Sequence, residues 1–217
     1  MSRPSMPGSS GAPTLGALTS LSLHAAPEVC HGCVWWQTRS PRREVEKAKW
    51  MERFEEEIGS FGTLYYAGDG DRAAGLIQYG PAPLFPRAYD LPSGPPSDDS
   101  LLVTCAYVVD PSTPWVLQSL VLAAIAEGRE RGALSIEAFA YRYPEGESAN
   151  ERFRVHRTVF PADFLEDFGF RIVQSAGRVG LARLELGGLE PVVEGRRERV
   201  LRVVKEAFIP DPLPERS

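Results

Sequence analysis

The chain is poor in the residues from which metal sites and disulfide scaffolds are built: its 217 residues include three cysteines and three histidines. An odd cysteine count argues against the disulfide framework of a secreted domain. Cys30-His31-Gly32-Cys33 has the two-thiolate spacing that can open a zinc site, but no second pair follows, and His31, His24 or Cys105 would have to complete it. No metal is therefore expected; structural thiols are the default, with a redox disulfide as the weaker option. No stretch reaches the roughly 18 apolar residues that a membrane helix needs, so no membrane insertion is expected. The formal charge of −5 is spread along the chain without a basic stripe or aromatic-basic alternation. That leaves no footprint for phosphate neutralisation or base stacking, and nucleic-acid binding is set aside.

With 43% hydrophobic and 24% charged residues, the chain can fill one ordinary globular core. Residues 1–26 are rich in Ser, Pro and Gly and read as a disordered tail. They hold no compact apolar run behind a basic start, so a cytoplasmic location is expected. A domain is expected over 27–190, with a helix and tail over 191–217. In that last part Val200, Val203, Val204 and Ala207 share one face between Glu194 and Phe208, so the helix should pack onto the domain or onto a second copy, as a homodimer.

Cys33 to Thr38 reads as a short strand that ends at Ser40-Pro41. Trp50, Phe54 and Ile58 recur every fourth residue, which predicts a helix over 43–58 stopped by Gly59, with Glu55-Glu56-Glu57 as a solvated end. Residues 62–67 and 73–79 flank Gly68-Asp69-Gly70-Asp71-Arg72 and read as a hairpin. Pro and Gly crowd 80–99, predicting a long non-helical connection across the surface. Leu101 to Val109 is almost continuously apolar, as in a central strand covered on both faces. Thr113-Pro114 then supplies an N-cap and a first helical position, and Leu117, Leu120, Val121, Ala124 and Gly128 form one face of a helix closed by Gly132. A strand from Leu134 completes a strand-helix-strand unit, which implies a right-handed crossover between parallel strands. A short helix over 161–168, closed by Gly169, and a hairpin formed by 170–173 and 180–186 end the domain.

This order resembles the GNAT superfamily of acetyl-CoA-dependent N-acetyltransferases over residues 34–186. Cys30 to Trp36, Ser97-Asp98-Asp99, Ile136-Glu137-Ala138-Phe139 and Pro161-Ala162-Asp163-Phe164-Leu165 are similar to short sequences of an actinobacterial-type subgroup. The resemblance implies an α/β fold, a mixed central sheet flanked by helices, with an extra C-terminal helix. It also implies acetyl transfer from acetyl-CoA to a primary amine on a small molecule or protein. The pantetheine arm would meet a bulge at the end of the central strand, at Val108 and Val109. The pyrophosphate would meet the following loop and helix start, at Trp115, Val116, Leu117, Gln118 and Ser119.

That loop departs from the superfamily pattern. It has no glycine and no positive side chain, and Pro114 removes an amide donor. The tyrosine that serves as acid in many members is replaced by Leu165, four residues before Gly169. The central strand holds no carboxylate, so the proton-handling candidates are Tyr107, Asp99 and, on the next strand, Glu137, with Asp98 beside them. Each has a structural counter-reading: Tyr107 as a core aromatic, Asp98-Asp99 as a strand-start turn, and His156 as a surface residue between arginines. Of Trp35 and Trp36, one indole should enter the core while the other could line an acceptor groove. Two functions stay open: an acetyltransferase, or a degenerate domain of the same fold that binds a protein or small ligand.

Overall fold

Pairing, more than local propensity, fixes where this chain is regular. The computed structural model describes residues 11–39, 45–144 and 158–187. Strands β2 (Gly62–Tyr66) and β3 (Gly75–Pro81) form the expected hairpin, in register from Gly62 opposite Gln78 to Tyr65 opposite Gly75. The apolar run becomes β4 (Ser100–Val108), antiparallel to β3. Helix α2 (Pro114–Glu130) follows, and Gly132 with φ 67 takes the left-handed conformation beyond its end. Strand β5 (Ser135–Tyr141) then lies parallel to β4, as the crossover argument requires. A two-residue β6 (Phe160–Pro161), the short α3 (Ala162–Asp167) and the hairpin β7 (Arg171–Ala176) with β8 (Val179–Glu185) complete the described domain. With β1 (Thr14–Ala17) at one edge, the result is an eight-stranded, mostly antiparallel sheet in the order β1-β2-β3-β4-β5-β8-β7, with β6 paired to β5. This is the mixed α/β architecture expected. The C-terminal helix and His156 lie outside the described residues.

Two apolar layers cover the sheet. One face carries α1 (Lys47–Ile58), with Met51, Phe54 and Ile58 buried against Leu64, Leu76, Leu102 and Phe139. The other carries α2 and α3, whose Val116, Leu120, Ala124 and Leu165 meet Ile77, Val103, Ala138 and Phe170. Along α2 the buried residues recur at helical spacing, from Val116-Leu117 through Leu120-Val121 to Ala124-Ile125 and Gly128. No helix among the described residues is long and apolar enough to cross a membrane.

Several expectations are corrected. The supposed tail contains β1 (Thr14–Ala17), which pairs antiparallel with β2 from Thr14 opposite Tyr66 to Ala17 opposite Thr63. Leu18, Leu23, Ala25 and Ala26 beyond it are core residues. Cys33 to Thr38 is a turn rather than a strand, although Trp36 is buried and Trp35 exposed, as the tryptophan argument foresaw. The connection over 80–99 contains two 3-10 turns, Ala82–Leu84 and Pro86–Asp90, and buries Leu84, Phe85 and Ala88 instead of crossing the surface. Glu55 is not simply solvated: its carboxylate accepts bonds from the Ser20 amide and hydroxyl, tying α1 to the N-terminal segment.

Because Leu18 is fully buried and its amide and carbonyl bond to Gly62 and Phe61, Leu18→Ala should lower the unfolding free energy by about 2–5 kcal/mol in urea titration. A loss below about 0.5 kcal/mol would return residues 11–26 to the status of a tail.

Candidate functional site

The site begins with a register break. Gln78 lies opposite Cys105 but Tyr79 lies opposite Val103, so Thr104 is an extra residue in β4. Such a bulge bends its strand and increases its twist. Here it is stapled across the strands: the Gln78 side-chain amide donates to Thr104 Oγ1 at 3.0 Å, and that hydroxyl donates to the Gln78 carbonyl at 3.2 Å. Both side chains are buried. The parallel pairing of β4 with β5 runs from Ser100 opposite Ser135 to Val103 opposite Ala138 and stops there. Beyond the bulge the two strands part, and β5 pairs Ala140 and Tyr141 with β6 instead. The bulge was expected at Val108 and Val109 and is found four residues earlier, because it arises from the β3–β4 register rather than from the end of the strand.

Beyond the bulge, backbone directions decide what the split offers. The Val109 amide bonds to the Ala74 carbonyl at 2.9 Å, so Val109 points its backbone groups toward β3. In an antiparallel ladder the direction alternates. Tyr107 and Cys105 therefore also face β3, whereas Ala106 and Val108 direct their N–H and C=O groups into the split, where no strand among the described residues pairs with them. Ala106 is 1% exposed and Val108 is 8% exposed. Buried backbone groups are almost always paired, and an unmet one costs about 1–3 kcal/mol.

On the α1 face the split is roofed by aromatic residues. Trp36 stacks on Phe139 with centroids 5.6 Å apart, and Trp35 meets Trp36 edge-on at 4.6 Å while the Arg87 guanidinium covers Trp35 at 4.5 Å. Trp36 Nε1 and Gln37 Nε2 are buried without a hydrogen-bond partner among the described residues. Tyr107 lies on this face, partly buried against the same core. The Cys105 thiol is pushed up to about 11 by burial, with Lys47 pulling it down and Cys33 pushing it up. Lys47 is itself buried and donates to the Cys30 carbonyl at 2.9 Å. Cys30, Cys33 and Cys105 form no disulfide with one another, and no group of three or more His, Cys, Asp or Glu among the described residues is arranged to hold a metal.

The three proton-handling candidates do not converge. Tyr107 lies in the split half of β4. Asp99 precedes the strand, eight residues away, or about 26 Å along an extended chain. Glu137 pairs with Leu102 in the closed half. It is fully buried and saturated: Oε1 accepts from Arg183 Nε at 2.7 Å and Nη2 at 2.6 Å, and Oε2 accepts from the Ser97 amide and the Ser100 hydroxyl at 2.8 Å each. This makes Glu137 a strut joining β8, β5 and the start of β4. Nearby, the Tyr89 hydroxyl donates to Asp98 at 2.5 Å and is held well above its ordinary range by burial and then by that bond.

At the mouth of the split the chain turns into α2 through Asp110. Its carboxylate accepts the Ser112 hydroxyl at 2.7 Å and the Ser112 amide at 2.9 Å, which together hold its pKa below the ordinary range. The Thr113 amide and hydroxyl both bond to the Asp110 carbonyl, and the Val116 amide bonds to the Thr113 carbonyl. Thr113 therefore makes no side-chain cap to the helix. Of the residues assigned to a pyrophosphate, Val116 and Leu117 are buried in the α2 layer, Trp115 and Gln118 are exposed, and Ser119 donates its hydroxyl to the Trp115 carbonyl. Three amides of the turn are committed, Pro114 has none, and the one charge present is negative.

The sequence singled out Tyr107, Val108 and the loop; the geometry adds Thr104, Ala106, Asp110 and Arg183 at the split and its ends. Asp110-Pro111-Ser112 carries a readable signal, since Asp two residues before Ser is the pattern of a side-chain-capped turn.

No family model matches the chain, and no curated protein matches it. Among solved structures, the chain is similar to an N-acetyltransferase from Staphylococcus aureus Mu50, at 13% identity and TM-score 0.47, covering 80% of this chain and 98% of that one. It is similar to the ribosomal-protein-S18-alanine N-acetyltransferase from Escherichia coli, at 12% identity and TM-score 0.45, covering 84% and 99%. A third similar structure is a putative acetyltransferase from Salmonella typhimurium with its cofactor acetyl-CoA, at 13% identity and TM-score 0.45, covering 82% and 98%. Similarity at this level assigns no activity to this chain.

If Glu137 is a strut, Arg183→Ala should cost about 3–5 kcal/mol in urea unfolding at neutral pH, because it leaves a buried carboxylate without its cation. A cost below about 1 kcal/mol would remove the strut from the account.

Proposed function

We infer that this protein transfers an acyl group, acetyl in the simplest case, from a pantetheine thioester to a primary amine. The observation that carries this reading is the pair of buried residues, Ala106 and Val108, whose backbone groups face the split without a strand partner among the described residues. A pantetheine arm is a narrow, extended chain with two amides, so it can add to an open strand edge much as a peptide does. An arm entering from the α2 end runs along β4 toward Val103 and Ala138, where the strands rejoin and block further passage. Its thioester then lies in the split beneath Trp36 and Phe139, out of bulk water.

The acceptor approaches from the α1 face. The neutral amine nitrogen attacks the thioester carbonyl carbon, a backbone N–H of the β4 edge takes the developing oxyanion, and the C–S bond breaks as the new C–N bond is kept. The proton lost by the amine goes to the departing thiolate, giving amide and free thiol. We assign its transfer to Tyr107, the hydroxyl on the α1 face of the split half of β4, or to water beside it. Asp99 and Glu137 are left outside the reaction, one by distance along the strand and the other by saturation of its oxygens. The buried, unpartnered donors of Trp36 and Gln37 suit an acceptor that carries a carbonyl or carboxylate near its amine.

The second reading, a domain of this fold that binds a partner without chemistry, is favoured by Asp110 in the place where an anion cradle would be needed. The two separate by assay of the full chain with S-acetylpantetheine, acetyl-CoA and a panel of primary amines, scored as amine-dependent thiol release with the amide identified by mass spectrometry. Release above the uncatalysed rate, reduced at least tenfold by Tyr107→Phe or accompanied by a shifted pH profile, supports transfer. No release from either thioester would overturn it in favour of the binding domain.

A further inference from the structure

The edge of β4 and the turn into α2 give opposite answers about one donor molecule. The edge accepts an uncharged, amide-bearing arm. The turn, which lies where the arm would leave the split, holds Asp110 with its carboxylate bonded to Ser112, no cation in the first turn of α2, and no amide at Pro114. An ordinary helix N-terminus attracts an anion through its free N–H groups. Here the chain places an anion of its own just before the helix, and a ligand phosphate would meet a like charge there. Flanking Asp110, Val109 is 56% exposed and Trp115 is 54% exposed, so the rim on the β4 and α2 side is apolar. Resting on the acyl-transfer reading above, we propose that the donor is a pantetheine thioester that does not carry an adenine nucleotide at this mouth.

Two sources share this chemistry, a free acylpantetheine and an acylpantetheine tethered to a carrier protein. In either case the reaction balances as before: the C–N bond forms, the C–S bond breaks, and the thiol leaves with the amine's proton. A tethered arm brings one phosphodiester charge to the Asp110 turn, at the position of the first phosphate of coenzyme A, whereas coenzyme A must carry its whole pyrophosphate and nucleotide past that turn. Ionised Asp110 opposes that passage at neutral pH, since its bonds to Ser112 hold its pKa below the ordinary range.

The test is calorimetric titration of the full chain with S-acetylpantetheine, with acetyl-CoA, and with an acyl carrier protein bearing acetylphosphopantetheine, repeated on Asp110→Asn. Asparagine can keep the turn, and thermal melting checks that the fold is unchanged. The expected result is that S-acetylpantetheine binds at least as tightly as acetyl-CoA to the wild-type chain. Asp110→Asn should tighten acetyl-CoA about tenfold at low salt, as removal of one charge from beside a pyrophosphate implies, and should change S-acetylpantetheine less than twofold. Tighter binding of the loaded carrier than of S-acetylpantetheine assigns the tethered source, and equal or weaker binding assigns the free one. Acetyl-CoA binding at least tenfold tighter than S-acetylpantetheine in the wild type, or insensitive to Asp110→Asn, overturns the proposal while leaving acyl transfer standing. Failure of all three ligands to bind overturns both.

Discussion

The bond pair between Gln78 and Thr104 is the constraint on which the site depends. An extra residue in a central strand is costly unless its polar groups are met, and here one buried amide and one buried hydroxyl meet them from the neighbouring strand. With Thr104 held out of register, β4 leaves β5 at Val103 and exposes the inner backbone of Ala106 and Val108. The split between the strands therefore comes from strand geometry rather than from a gap in side-chain packing. This also explains how two layers as apolar as those flanking the sheet can enclose a polar binding edge.

The other half of the same strand pair is tied as firmly as the upper half is opened. Glu137 gathers Arg183, Ser97 and Ser100 at the closed end, so the origin of the split is fixed to β8 on one side and to the loop before β4 on the other. A buried carboxylate with four donors is a rigid joint, and replacing one partner exposes the cost of burying the rest. A ligand entering the split therefore meets strands that are held in place rather than strands that must first separate. Ordering costs are already met by the fold, which favours binding.

Much of the fold was legible in the sequence because it follows from periodicity. The α2 stripe from Leu117 to Gly128, the apolar run of β4 and the Gly-Asp turn between β2 and β3 each have one plausible structure, and each formed. β1 was missed because Thr14-Leu15-Gly16-Ala17 has no apolar alternation of its own; it becomes a strand only through pairing with β2. The turn at Trp35-Trp36 was misread as a strand for the opposite reason, since bulky neighbours favour strands locally but here are held by Arg87 and Phe139. The bulge could not be read, because it is a property of two strands in register and not of either alone. Glu137 was noticed as an acid in an apolar strand, yet its partners stand 46 residues away at Arg183 and 37 away at Ser100, so its saturation was invisible.

The claim that Ala106 and Val108 form an open edge can be tested directly by amide hydrogen exchange, residue by residue, with and without S-acetylpantetheine. The account predicts that both amides exchange much faster than those of Tyr107 and Cys105 on the same strand, and that adding the thioester slows Ala106 and Val108 selectively. Equal protection of all four amides in the free protein, with no change on adding ligand, would contradict it.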